Sequence, residues 1–241
     1  MTRRIIAFFV PIFLICFAVA TLYKWNYFQH TQHEPSEFGI PTLGTGFDTD
    51  GDGIEDSEDI VVSAKNYVAK KPAYSEIMYD GGWPEGNKGM ASDVIAQAFL
   101  GAGFDLQNLI WQDILKNPEL YGEDPGTEKS AFRKIENQRI FMSRYFDEHT
   151  NDYEDIKDWQ KGDVIFFEKG HVALVADKVN DKGIRFVIHH FWQYQGGYFQ
   201  DILETNAWGK IVGHYRVTQR ALGPKTDGAT KNNKTKTRTT K

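Results

Sequence analysis

The residues best suited to chemistry lie in the run GDVIFFEKGHVALVADKVNDKGIRFVIHH, residues 162–190. Strands predicted over 171–176 and 184–190 place His171 and His189 at neighbouring ends of an antiparallel hairpin. Two imidazoles on one sheet edge can take a proton and orient one another, which is half of a cysteine-hydrolase site. The other half is a thiol at the start of a helix packed on that sheet. The first turn of a helix predicted from Met90 holds Ala91 at that position. A methyl group has no lone pair, so covalent acyl transfer cannot pass through residue 91. Ser92 offers a hydroxyl, but consecutive helix residues point about 100° apart, so it would aim away from His171 if position 91 faced it. A slip of one residue in the hairpin would exchange His189 for His190. The alternative for either imidazole is a satisfied structural histidine.

A second run with chemical content is DTDGDGIEDSED at 48–59. Its acids at loop positions 1, 3, 5, 9 and 12 are Asp48, Asp50, Asp52, Asp56 and Asp59, with Gly53 at the turn and the Ile54 carbonyl as a neutral donor. Ca2+ takes about six to eight oxygens, and alternating acids on a tight turn bring carboxylates to one point. The expected cofactor is therefore Ca2+, held in a single loop that stiffens the junction between stalk and domain. Position 12 is aspartate rather than the longer glutamate, which points to modest affinity. A solvated acidic linker is the plainer alternative.

These residues need elements to position them. Helices are predicted over 60–70, from 90 to Gly103, over 106–116 and over 128–148. Residues 117–126 form a loop. Strands follow over 164–167, 171–176, 184–190 and 210–217. Helices first and antiparallel strands after make an α+β fold with helices packed on a small sheet. With 241 residues and 41% hydrophobic content, the chain can bury one sizeable core or one domain plus a small module. Net charge −5 argues against a nucleic-acid partner. The one cysteine, Cys16, excludes an internal disulfide and a thiolate metal site.

Residues 5–23 carry no charge and follow Arg3 and Arg4. A helix over that run is about 28 Å long, close to a bilayer core, so a single-pass anchor is expected, with the domain extracytoplasmic, at the cell surface or in the periplasm. Cleavage after Ala18-Val19-Ala20 is the rival reading. Residues 24–47 read as a linker and 60–220 as the main domain. The basic tail beyond 221 reads as disordered, with six basic residues against Asp227 over 225–241.

The motifs KGMASDVIAQAFLGAGFDLQNLIWQDI, FRKIENQ, WQKGDVIFF, GHVALVADK, VIHH and GKIVGHYRV, in that order, resemble the bacterial domain-of-unknown-function family 1287. That family resembles a branch of the papain-like, NlpC-type cell-wall cysteine peptidases and amidases. The resemblance covers about residues 74–217. It implies a nucleophilic cysteine at the position of Ala91, a base at His171 and an orienting residue at His189. It departs from the family pattern at Ala91 and at Phe132, where the family has a histidine. Asp93 matches the family's aspartate and is expected to cap the helix. Trp192, Tyr194, Tyr198 and Trp208 are candidates for lining a groove. The function this implies is a membrane-anchored protein that binds or acts on peptidoglycan peptides, without its nucleophile. Two alternatives stay open: an active amidase whose cysteine was replaced by design, and a calcium-dependent surface scaffold. The expected partners are a cell-wall peptide or protein, and the membrane through the N-terminal helix.

Overall fold

The computed structural model describes residues 2–222 except 25, 26, 29, 193, 194, 196 and 206, and of 2–7 and 222 the backbone alone. The tail over 225–241, Tyr194 and the side chains of Arg3 and Arg4 lie outside the described residues. Helix α1 (Thr2–Lys24) carries Pro11 and exposes Phe8, Phe13 and Phe17. Among the described residues no helix is long and apolar enough to cross a membrane. The anchor expected over 5–23 includes residues 5–7, whose side chains lie outside the described residues.

The segment expected to be a linker lies against the domain as a strap. His33 pairs with Val179 through both backbone hydrogen bonds, and its ring reaches Asp181 at 2.8 Å. Ile40 is buried, and the Leu43 amide donates to Gln160 Oε1. Helix α2 (Asp56–Ala69) follows, starting four residues before the expected Ile60. Asp56, Glu58 and Asp59 fill its first turn, where negative charge meets the positive end of the helix dipole. A short parallel pair, β1 (Ala73–Tyr74) and β2 (Lys88–Gly89), leads into α3 (Ala91–Gly101). Beyond it, Gly103 turns the chain with φ 83°. Helix α4 (Leu106–Lys116) is capped by Asp105, which accepts from the Asn108 amide.

One long helix expected over 128–148 is instead a 3-10 turn (Ala131–Arg133), α5 (Ile135–Tyr145) and β3 (Asp147–Glu148). Lys134 is extended (φ −74°, ψ 116°), which breaks the helix. The break is held by the side chains of Asn137 and Gln138, which donate to the carbonyls of Ala131 and Phe132. Helical propensity along 128–148 is overridden by these buried amides and by the tertiary role of Arg133.

The remaining strands are β4 (Val164–Phe167), β5 (His171–Val179), β6 (Arg185–Ile188), β7 (Phe199–Gln200) and β8 (Ile211–Arg216). With β3 they form one antiparallel sheet in the order β3-β8-β4-β5-β6-β7. The α+β class is as expected. Both faces of the central strands β4 to β6 are buried. Val164 and Phe166 of β4, and Val172 and Leu174 of β5, join the core that contains α2, α3 and α5. Ile165, Phe167, Ala173 and Val175 face a second core around Trp159 and Leu203. That is why these strands read as continuous apolar runs rather than as alternation.

Candidate functional site

Ala91 is the first residue of α3, 4% exposed, with α2 and α5 packed into the same core. The N-terminus of that helix is fixed by one local contact and one long-range contact, both made by Asp93. Asp93 Oδ2 accepts the Met90 amide at 2.8 Å, closing the first turn as expected of a capping aspartate. Its carboxylate also takes a two-pronged ion pair from Arg133, Nε to Oδ1 at 2.8 Å and Nη2 to Oδ2 at 2.9 Å, both side chains fully buried. Arg133 further donates to the carbonyls of Ser75 and Ile77. Its donors tie the α3 terminus to the chain between β1 and β2.

Opposite, His171 opens β5 and shares with Ala91 the wall of a cleft of about 400 Å3. His171 Nε2 lies 2.8 Å from His189 Nδ1, and His189 Nε2 lies 2.7 Å from Gln200 Oε1. The Gln200 amide oxygen only accepts, so His189 carries its hydrogen on Nε2 and presents a bare Nδ1. His171 then donates from Nε2, which leaves its own Nδ1 as a free lone pair. Among the described residues that nitrogen has no hydrogen-bond partner. All three imidazoles are held neutral. Burial, then the neighbouring His189, pushes His171 well below the usual histidine value. Burial pushes His189 down to about 4, against the pull of Gln200, and pushes His190 to about 4 as well. Trp208 stacks on His171 with ring centroids 4.2 Å apart and fixes its plane.

The register separates the two adjacent histidines. His189 is fully buried behind His171, whereas His190 lines the cleft beside Tyr74, with Nδ1 buried and unpartnered. Ser92 is completely buried and absent from the cleft wall, so its hydroxyl cannot stand in at position 91. Phe132 is core, packed on Trp83 at 4.6 Å. Of the candidate groove aromatics, Trp208 lines the cleft; Tyr198 packs on His190 and donates to the Pro72 carbonyl, and Trp192 is exposed and outside the cleft wall.

The acidic loop is drawn together by its own amides. Asp48 accepts from Gly51 at 2.7 Å and from Gly53 at 2.8 Å, and Asp52 accepts from Ile54 at 2.8 Å. One carboxylate oxygen each of Asp48, Asp50 and Asp52 falls within 4.8 Å of the others. The five carboxylates expected to meet are therefore three in close convergence. Asp56 is turned onto Thr49, accepting its amide at 2.7 Å and its hydroxyl at 2.6 Å. Asp59, in the first turn of α2, is 7% exposed with Oδ2 unpartnered. Burial, followed by the charges of Asp52 and Asp50, raises its carboxyl above the usual range. The side chain of Ile54 is exposed.

With this geometry in place, comparison with known proteins identifies the family. The profile described as "Domain of unknown function (DUF1287)" matches residues 58–217. The chain belongs to the DUF1287 family. It is similar to the uncharacterized protein YijF of Escherichia coli (strain K12), 29% identical over 153 residues, which cover 60% of this chain and 72% of that protein. No solved structure matches.

The DUF1287 match encloses Ala91, His171, His189 and Gln200, and of the acidic loop takes in Glu58 and Asp59. Gln200 is the member of the constellation that sequence reasoning missed. It sits on a two-residue strand whose register, Val187 opposite Gln200, puts it on the face shared by Val187 and His189. A signal existed in retrospect: a polar residue following Phe199 on a strand that can pair diagonally with position 189. Nothing in the spacing distinguishes it from a loop glutamine until the pairing is known.

Proposed function

We propose that this chain is a papain-like, NlpC-type relative of cell-wall amidases and peptidases that binds a peptidoglycan peptide in its cleft without cutting it. The observation that carries this reading is the relay Gln200–His189–His171, which ends in a free Nδ1 within a cleft whose helical wall begins at Ala91. A helix N-terminus lowers the pKa of a thiol placed there, and a neutral imidazole would take its proton; with alanine the base has nothing to deprotonate. The binding capacity remains. Arg133 and Lys134 are engaged by Asp93 and Asp124, whereas Lys169 on the cleft wall has no carboxylate partner among the described ion pairs. Lys169 and the unpartnered His190 Nδ1 suit a peptide carrying a free carboxylate.

A second reading keeps the hydrolysis: the same intact relay favours a parent enzyme in which residue 91 is cysteine and alanine replaces it. One experiment addresses both. In the full chain with Cys16→Ser, Ala91→Cys supplies a single thiol, whose alkylation rate is followed against pH together with release of wall peptides. The expected thiol titrates below the ordinary value of about 8.5 and loses that shift when His171→Ala is added. Cleavage by the restored thiol favours the hydrolase reading; a perturbed thiol without cleavage favours binding alone. A thiol indifferent to His171 overturns both.

The exposed apolar side of α1 supports a location outside the cytoplasm, with α1 acting as the export and membrane-contacting segment. Protease added to cells stripped of any outer membrane is expected to reach the domain; full protection until the cytoplasmic membrane is broken would refute this placement.

A further inference from the structure

The acidic loop plays no part in the cleft chemistry, and most of its charges have no counterion among the described ion pairs. Seven carboxylates fall within residues 48–59. Glu58 is paired with Lys161, Glu55 accepts from Thr45 and Gly46, and Asp56 is engaged by Thr49. Asp48, Asp50, Asp52 and Asp59 have no cation partner among the described ion pairs, although three of them crowd within 4.8 Å. An independent observation comes from the other side of the loop. Asp59 is more than nine-tenths buried, yet its Oδ2 has no partner at all. A helical side chain leans toward the N-terminus of its own helix, and the N-terminus of α2 is where the loop ends. A buried carboxylate oxygen left unsatisfied is costly unless a ligand completes it.

We infer that the loop binds one Ca2+ through Asp48, Asp50, Asp52 and Asp59, with Asp59 as the closing ligand and Asp56 outside the ligand set. The donors are all oxygens, which selects a hard cation. Several carboxylates on a flexible loop suit Ca2+ with its high and adaptable coordination number, whereas Mg2+ keeps its waters and a strict octahedron. The ion belongs to the domain rather than to a stalk, because its closing ligand is on α2, the helix that packs along α3. The loop also rests on the end of α3: a Cβ at Gly103 would stand 3.1 Å from Asp50 Cβ and 3.2 Å from Thr49 Cγ2. Bound Ca2+ would therefore lock the strap, α2 and α3 into one unit, and so steady the helix that starts at Ala91.

The test uses the full chain in detergent, freed of metal with a chelator and titrated calorimetrically with CaCl2 and, separately, MgCl2. One Ca2+ per chain is expected, with a rise in the thermal midpoint and much weaker Mg2+ binding. Asp59→Asn should weaken Ca2+ binding by at least the roughly tenfold seen when even an outer-shell partner is lost. Because Asp59 is buried, the exposed Asp50→Asn gives a second measure: the same loss of affinity, with a metal-free midpoint at or above that of the unaltered chain. Asp56→Asn should lower the metal-free midpoint while leaving affinity near its original value. The absence of a Ca2+ heat, or unchanged affinity in both Asp50→Asn and Asp59→Asn, overturns the site. Equal affinity for Mg2+ overturns the choice of ion, and a loss at Asp56 matching that at Asp59 overturns the ligand set.

Discussion

The cleft and the acidic loop are two kinds of polar cluster, and they differ in how far apart in the chain their members lie. In the loop, Asp48, Asp50 and Asp52 meet within five residues, held by amides of the same turn. In the cleft, Ala91, Arg133, His171, His189 and Gln200 are separated by as much as 109 positions in the sequence and are fully or almost fully buried. The loop acids repel one another in water and tolerate it, since high dielectric weakens their interaction. The cleft groups have lost their water, so each must find a partner inside the protein, and the partners form chains: Asp93 with Arg133, His171 with His189 with Gln200. A local cluster can be built by spacing alone, whereas a buried one exists only when the whole fold is in place.

If that contrast holds, the largest effect comes from the buried ion pair. Asp93→Ala leaves the Arg133 guanidinium unpaired in the core and is expected to lower stability by about 3–5 kcal/mol, read from the urea midpoint. The double change Asp93→Ala with Arg133→Met should recover most of this. A loss under about 1 kcal/mol would show that the α3 terminus behaves like a surface site.

Acid should act next. His189 is held at about 4 in the folded protein against about 6.5 in the unfolded chain, so between those values the unfolded state binds more protons. Stability is then complete above about pH 6.5 and falls as pH drops toward 4, by about 3 kcal/mol from His189 alone. His190, held at about 4, works in the same direction. Comparing unfolding midpoints at pH 7 and 4.5 in the unaltered chain and in His189→Gln should show a shallower acid loss in the variant. An identical slope would mean that His189 is not buried neutral.

A smaller change is expected from Gln200→Leu, which removes the acceptor that fixes the His189 tautomer. Leaving Nε2 unsatisfied should cost about 1–3 kcal/mol. With the thiol restored at position 91, the same change should raise the pH at which that thiol becomes reactive; a simple packing residue would leave that profile unmoved. The smallest effect belongs to the loop. Without metal, Asp50→Asn should shift stability by no more than about 0.5 kcal/mol, because the residue is exposed and its neighbours are like charges. A loss of several kcal/mol there would erase the distinction between the two regions.

The elements were legible where periodicity or composition acts locally. The apolar stripe from Met90 announces α3, and the continuous runs at 164–167 and 171–176 announce strands buried on both faces. Less legible was the stretch 128–148, whose pattern suits one helix. The break at Lys134 is imposed by Arg133 reaching Asp93 and by Asn137 and Gln138 capping a turn, contacts whose partners include a residue 40 positions away. The strap at 30–47 was equally hidden. Its two prolines, its glycines and its lack of period read as a linker, yet His33 and Ile40 secure it to the domain through single residues too few to form a pattern.

Sequence by itself determined the absence of a nucleophile at residue 91, the acid spacing of the loop and the α+β order, because each depends on residue identity or short-range period. Tertiary structure alone decided which of His189 and His190 stands behind His171, that Gln200 completes the relay, and that Asp56 turns away while Asp59 is left unpaired. Those outcomes depend on strand register and burial, where a shift of one position reverses the face a side chain occupies and the loss of water makes any unpartnered polar atom costly.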